Sequence, residues 1–382
     1  MVNRLQGIPG FGIDRVAAAA GQDPDVLRLE NLDTDVSPHP GVIDATRAAI
    51  GRDEANSYLP FTGLDEMKEA VSELIERRGG PLYDPFSEVV ITQGDGDNML
   101  NALLSLTDPG DEVILTDPTY AGMIQRVRLV GAVPRFVPLV SAGDGWSLDL
   151  DALRTAISER TRVLFIMSPS IPSGWVASEG EWAAIANLCR EHGINLLYEM
   201  LWEAIVFGGR RIVVPSALEG MRDLTVTVGS VSHEQRLIGW RVGWMVGPAQ
   251  LAPSLALTHI YNGVCTSGFC QIGAATALRL GDDDVSAAVY EWERRHVELA
   301  RQCHGLSLVP AQGGWCALFD AEAAGLSAPE LSDRLLAQKV AATPMTAWGE
   351  TVAPRHVRMV FSNEPVERLA LLGDRLRRAL AG

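Results

Sequence analysis

The sequence predicts an α/β protein: a mostly parallel sheet with helices on both faces, followed by a smaller α+β domain. Apolar runs of strand length recur from about residue 89 onward, each followed by a helix-like stretch. The runs are continuously apolar rather than alternating, as in strands covered on both faces. They end in loops rich in Gly, Pro, Asp and Ser, which is where such sheets carry their ligands.

In chain order, "EVVIT" precedes a helix through "NMLNALLSL", and "EVILT" one through "YAGMIQRVRLV". "RVLFIM" precedes a helix from Glu179 to about His192, and "INLLYEM", Leu224 to Val228 and "RVGWMVG" supply further strands. The loops "TQGDGD", "TDPTY", "MSPSIPSG", "YEMLWE" and "GSVSH" should then meet at the carboxyl edge of the sheet. A long helical stretch from Val285 to about His304 leads into the smaller domain, with "GWCALFDA", a helix near Ala328 to Lys339, "HVRMVFS" and a last helix from Val366. The expected division is a large domain over residues 46–284 and a small domain made of residues 1–45 with 285–382.

The composition narrows the functions. A net charge of −16 argues against a nucleic-acid partner. No apolar run approaches the length of a membrane span, and "MVNRLQGIPGFGIDR" has no apolar core of the signal-peptide kind. The five cysteines are scattered without metal-ligand spacing. A cytoplasmic protein with reduced thiols and no metal is expected. Lys68 and Lys339 are the two lysines of the chain, which matters because Schiff-base chemistry needs a lysine amine.

The motifs "SYLPFTGLDEM", "DPTY", "GWRVGW", "TPMTAWG" and "HVRMVFSNEP", in that order, resemble the fold-type I, class I/II aminotransferases, which use pyridoxal 5′-phosphate (PLP). The resemblance covers nearly the whole chain. It implies the aminotransferase-type sheet, a homodimer with shared active sites and a small carboxylate substrate. Residue by residue, it implies that Tyr58 reaches the cofactor phosphate of the neighbouring subunit and that Tyr120 stacks on the pyridine ring. Gly94 and Asp95 would form the turn that cradles the phosphate, with Ser230 and Arg241 also at phosphate-binding positions. Arg358 would grip the substrate's α-carboxylate, a task suited to a planar, permanently charged fork of donors.

The departures from that pattern are concentrated at the same tips. His233, eight residues before Arg241, stands where the family carries its Schiff-base lysine. Ile171 replaces an asparagine and Trp202 a tyrosine, both of which touch the cofactor's phenolic oxygen in the family. Glu199 replaces the aspartate that faces the pyridine nitrogen, and Asp95 a small or hydroxyl residue of the phosphate turn. An acid beside a phosphate is repelled unless a cation lies between them. Asp95 and Arg241 are therefore expected to satisfy each other, filling the cup from within. Glu199, buried at a strand end, needs a partner, and His233 is expected to be it. Trp202 either fills the pocket or stacks on the substrate.

These residues lead to a first functional expectation. It is an enzyme of this fold repurposed for acid–base chemistry on a small amino-acid-like or keto-acid substrate, in specialised metabolism. Arg358 holds the carboxylate, His233 and Glu199 act as acid and base, and no cofactor is covalently bound. A second keeps PLP or pyridoxamine phosphate (PMP) non-covalently with His233 as base, in an aminotransferase-like or dehydratase-like reaction. A third is a non-catalytic metabolite-binding protein. Ordinary transamination is the reaction least expected.

Overall fold

The computed structural model describes residues 5, 8, 12–141, 143 and 145–382. Its large sheet contains β1 (Val89–Thr92), β2 (Glu112–Asp117), β3 (Val133–Ser141), β4 (Trp146–Leu148), β5 (Thr161–Met167), β6 (Asn195–Glu199), β7 (Thr225–Ser230) and β8 (Gly243–Val246). The strand order is β1-β8-β7-β6-β5-β2-β3-β4. The run from β7 to β3 is parallel, and antiparallel pairs with β8 and β4 extend it on either side. β1 closes one edge, antiparallel to β8. β1, β2, β6, β7 and β8 are buried along their whole length or nearly so, which is why they read as unbroken apolar runs.

β3 and β4 escaped the sequence reading. Pro134 and Pro138 interrupt β3, and its burial is partial and irregular. Such strands belong near a sheet edge, where the missing N–H is tolerated. The helix Glu179–His192 is locally encoded: Ser178 and Glu181 form a reciprocal capping box, and Gly193 ends it in the left-handed conformation. Glu181 also accepts the backbone N–H of Leu148 at 2.6 Å, fixing β4 to this helix.

The smaller sheet is antiparallel, with β9 (Leu308–Val309), β10 (Cys316–Asp320), β11 (Thr343–Pro344) and β12 (His356–Val360) in the order β9-β10-β12-β11. The helix Asp283–Gln302 leads into it. The last helical stretch is broken into Val366–Leu369 and Leu372–Ala381. Near the N-terminus, Leu27–Arg28 pairs in parallel with Val340–Ala341, and Leu29 accepts the N–H of Val360 at 2.8 Å. Among the described residues no helix is long and apolar enough to cross a membrane.

One carboxylate locks a small-domain loop onto the large sheet. Asp117, at the carboxyl end of β2, accepts the backbone N–H groups of Glu350, Thr351, Val352 and Ala353 at 2.7–3.0 Å. The same loop carries Trp348, whose carbonyl accepts from Thr119 at 2.9 Å. The loop after β2 and the wall above Arg358 are thereby held as one piece.

Candidate active site

The carboxyl ends of β6 and β7 place Glu199 and Ser230 on neighbouring strands. Glu199 is 0% exposed, and neither of its carboxylate oxygens has a hydrogen-bond partner. Burial, then the nearby Asp95 charge, push its pKa well above the usual carboxylate range, with Arg126 pulling the other way. The protonated form of Glu199 is thereby favoured. No hydrogen bond or ion pair joins it to His233 among the described residues, so the two are not brought together as a bonded acid–base pair.

The turn after β1 forms a cup. Gly94 adopts φ +90°, which glycine tolerates without strain, and it precedes the helix Asp95–Leu106. A Cβ on Gly94 would lie 2.7 Å from the Arg241 guanidinium, so this turn needs a residue without a side chain. Arg241 itself is in the left-handed region at φ +55°, and its Nη1 donates to the Ile238 carbonyl at 2.8 Å. Asn98 holds the cup to the sheet: it bonds Thr92, and its Nδ2 donates to the Gly229 carbonyl at 2.9 Å.

Asp95 does not form an ion pair with Arg241. Its Oδ2 accepts from the Ser230 hydroxyl at 2.8 Å, while Oδ1 stays unpartnered and buried. Burial raises its pKa above the usual carboxylate range, against the Ser230 hydroxyl and then, from farther off, Arg241, which lower it. Ser230 Oγ also accepts the Ser232 backbone N–H at 3.1 Å, and the Ser232 hydroxyl makes no bond of ordinary geometry.

His233 lies among indoles. The Trp315 ring centroid is 4.7 Å away and that of Trp202 5.8 Å, both edge-on. Trp292 meets Trp315 at 5.0 Å and closes the cluster. Burial, with Arg241 adding to it, lowers the His233 pKa to about 3. The imidazole is neutral at pH 7, with Nδ1 buried and unbonded. Trp202 is fully buried against Gly314, where φ is +76° and a Cβ would overlap the indole. Ile171 is buried too.

Arg358 is 0% exposed. Nη2 donates to the Glu30 carbonyl at 2.6 Å, and the guanidinium lies 4.8 Å over the Trp348 ring. Nε and Nη1 are buried and unpartnered. Tyr120 meets Trp348 edge-on at 6.1 Å. Beside them lies a largely apolar cavity of about 330 Å³, lined by Gly96, Leu100, Gly122, Arg126, Ala347 and Trp348 among others. Tyr58 is far from buried, at 84% exposure.

Both lysines are engaged elsewhere. Lys68 pairs with Asp65 at 2.8 Å within the helix Asp65–Arg77, and Lys339 pairs with Asp23. No group of three or more His, Cys, Asp or Glu side chains suited to a metal ion occurs among the described residues.

Several participants carry no signal in the sequence: Ser232 lies in "GSVSH" and Trp315 in "GWCALFDA" without a pattern of their own. Arg126 was invisible on its helix: its Nε donates to the Gly96 carbonyl at 3.0 Å and its Nη1 to the Gly122 carbonyl at 2.9 Å, bringing a cation toward Glu199. Asp117 could have been noticed as an acid ending a buried strand, since such a group must find donors.

The large sheet carries a buried acid and an arginine-flanked glycine turn at its carboxyl edge, and Arg358 of the smaller sheet keeps two unpaired donor nitrogens. The sequence matches the family described as aminotransferase class I and II over residues 25–375, and the chain belongs to that family. It is 31% identical over 356 residues to a probable N-succinyldiaminopimelate aminotransferase of Mycobacterium tuberculosis, covering 88% of this chain and 89% of that one. It is 30% identical over 376 residues to the arginine–pyruvate transaminase of Pseudomonas aeruginosa, covering 95% and 93%. The solved structure of N-succinyldiaminopimelate aminotransferase from Mycobacterium tuberculosis superposes with a TM-score of 0.92 at 29% identity, covering 100% of this chain and 99% of that chain. Thermus thermophilus aspartate aminotransferase with maleate gives 0.90 at 25% identity, covering 99% of each.

This kinship corrects the expectation that the protein has no covalent cofactor and that PLP or PMP is in doubt. The family is one of PLP-dependent aminotransferases, and the relatives are ordinary transaminases by name. The expectation against ordinary transamination finds no support among them. The residues present also fit the group. Glu199, Ser232, His233, Asp95 and Arg358 all carry buried polar atoms without protein partners, as a polar ligand's contacts do when only the protein is present.

Proposed function

We propose that this chain is a class I and II aminotransferase with His233 in place of the Schiff-base lysine, working with PLP or PMP on a small amino acid or keto acid, with His233 moving the proton. The observation that carries the reading is the Arg358 guanidinium, fully buried with two donor nitrogens unpaired. An uncompensated buried cation is costly, and a substrate carboxylate is the natural partner for its free edge. The relatives are named for N-succinyldiaminopimelate, for arginine with pyruvate, and for aspartate, which supports a substrate of this kind.

The remaining residues take roles consistent with their surroundings. Arg241, Ser230, Ser232 and the Gly94–Asp95 turn would hold the phosphate, and Glu199 would share its proton with the ring nitrogen. Tyr120 would support the ring face. When bound, the ring draws off the electron pair left as a proton leaves the substrate. His233 is neutral because it is buried, and a pKa of about 3 makes it a weak base in the protein alone. The negative charges of a phosphate and a substrate carboxylate nearby would raise it toward neutrality and let an imidazole nitrogen take that proton. Trp202, Trp315 and Trp292 keep water from it. The highly exposed Tyr58 suits a second copy that it would reach, in a homodimer with shared sites.

The test is a titration with PLP and then PMP, followed by absorbance and calorimetry, and by turnover of amino and keto acids. Saturable micromolar binding, with turnover abolished in His233→Ala, is expected. Unchanged turnover in that variant removes His233 from the mechanism. Binding without turnover in the native chain would instead favour a metabolite-binding protein.

A further inference from the structure

The phosphate cup already contains an acid. Asp95 is buried, takes the Ser230 hydroxyl through Oδ2, and leaves Oδ1 unpartnered. The Ser232 hydroxyl beside it is buried and without a bond of ordinary geometry as well. Two guanidiniums flank the turn: Arg241 against Gly94, and Arg126 against Gly96, where a Cβ would lie 2.8 Å from its Nη2. Glu199 is the other acid whose charge senses Asp95. An anion reaching for Ser230, Ser232 and the amides of the helix N-terminus therefore meets the Asp95 carboxylate, which already draws on the Ser230 and Ser232 hydroxyls and leaves Oδ1 without a bond of ordinary geometry. Two acceptors, both negative, repel at that oxygen, and since neither guanidinium bonds it, a proton is the donor left to lie between them.

Building on the cofactor reading above, we infer that Asp95 and the phosphate of the bound cofactor share one proton, so that the cup selects a phosphate carrying one more proton than it holds in solution. The proton comes from solvent and is shared between Asp95 Oδ1 and a phosphate oxygen. A phosphate monoester loses its second proton near pH ~6. Above that pH and above the pKa of Asp95, which burial raises, neither group brings the proton, so binding must take it up and affinity falls by roughly tenfold per pH unit. The Ser230 hydroxyl, already donating to Asp95, fixes which oxygen is left to share.

The experiment is calorimetric titration of PMP into the full-length native protein, Asp95→Asn and Asp95→Ser at pH 6.5, 7.5 and 8.5, in buffers of different ionisation enthalpy. Pyridoxamine, which lacks the phosphate, serves as control, so that protons belonging to Glu199, His233 or the ring nitrogen cancel. Expected is about one more proton taken up at pH 8.5 by the native protein than by either variant, for PMP and not for pyridoxamine. PMP affinity should rise about tenfold or more in the variants at that pH. Equal affinity and equal proton uptake in all three proteins would overturn the inference while leaving the cofactor reading intact. Failure of PMP to bind any of the three folded proteins, even at pH 6.5, would overturn the cofactor reading and the inference with it. The Asp95→Ser protein, with a small hydroxyl in the turn, guards against an Asp95→Asn variant that does not fold.

Discussion

At the scale of single residues, the site is defined by polar atoms that the protein itself leaves unsatisfied. Glu199 is the clearest case, since a buried, unbonded carboxylate is tolerable only with its proton on. Its pKa is raised in the folded state, so its contribution to stability is complete below the ordinary carboxylate range and is lost as pH rises through the folded value. Glu199→Gln removes that ionisation. The melting temperature of the variant should gain on the native protein progressively from pH 5 to pH 9, and a constant difference across that range would contradict a buried, titrating Glu199. Arg358→Gln tests the carboxylate site. A charge-assisted hydrogen bond contributes about 1.5–3 kcal/mol, so steady-state kinetics should show KM for the amino acid raised roughly tenfold to a hundredfold.

At the scale of elements, the loop carrying His233 is fixed by a buried ionic cluster. Arg78 bonds Glu203 at 3.0 Å and Glu234 at 2.5 Å, all three nearly fully buried. Glu234 also accepts the Ala204 N–H at 2.7 Å, and Arg236 pairs with Asp284 at 2.6 Å. The cluster links the end of the helix Asp65–Arg77, the loop after β6 and the loop after β7. Arg78→Met strands two buried carboxylates, which costs about 3–5 kcal/mol. The urea midpoint should drop accordingly, and by more at pH 8 than at pH 5, where Glu203, whose pKa burial raises, can take a proton instead.

At the scale of the whole molecule, Tyr58, Phe61, Leu257, Tyr261 and Val264 are among the exposed apolar side chains, and the proposed homodimer predicts that a second copy covers them. Tyr58 and Tyr261 are 84% and 85% exposed, far more than large aromatics usually are. If Tyr58 completes a neighbour's site, inactive Tyr58→Ala and inactive His233→Ala proteins should regain activity when mixed and re-equilibrated, because hybrid dimers contain one site free of both changes. Sedimentation should give a dimer for the native protein, and complementation would be absent if each site belonged to one chain.

The sequence by itself determined the sheet, most of its strands and the tips that carry chemistry, because strands covered on both faces must be apolar throughout and because turn residues mark where they stop. It also placed His233, Glu199, Asp95 and Ser230 at those tips, Arg358 in a strand of the smaller domain, and counted the lysines. It missed β3, where prolines interrupt the pattern, and it paired charges by type and proximity along the motifs. Only the tertiary structure decided the actual partners. Asp95 went to Ser230 and not to Arg241, and Glu199 came to lie by Asp95 and Arg126 and not against His233. Trp315, from the small domain, settled beside the imidazole. The reason is physical: which buried polar groups meet depends on side-chain directions at the ends of different strands and on which donors the backbone has already used. Neither is recorded in local pattern.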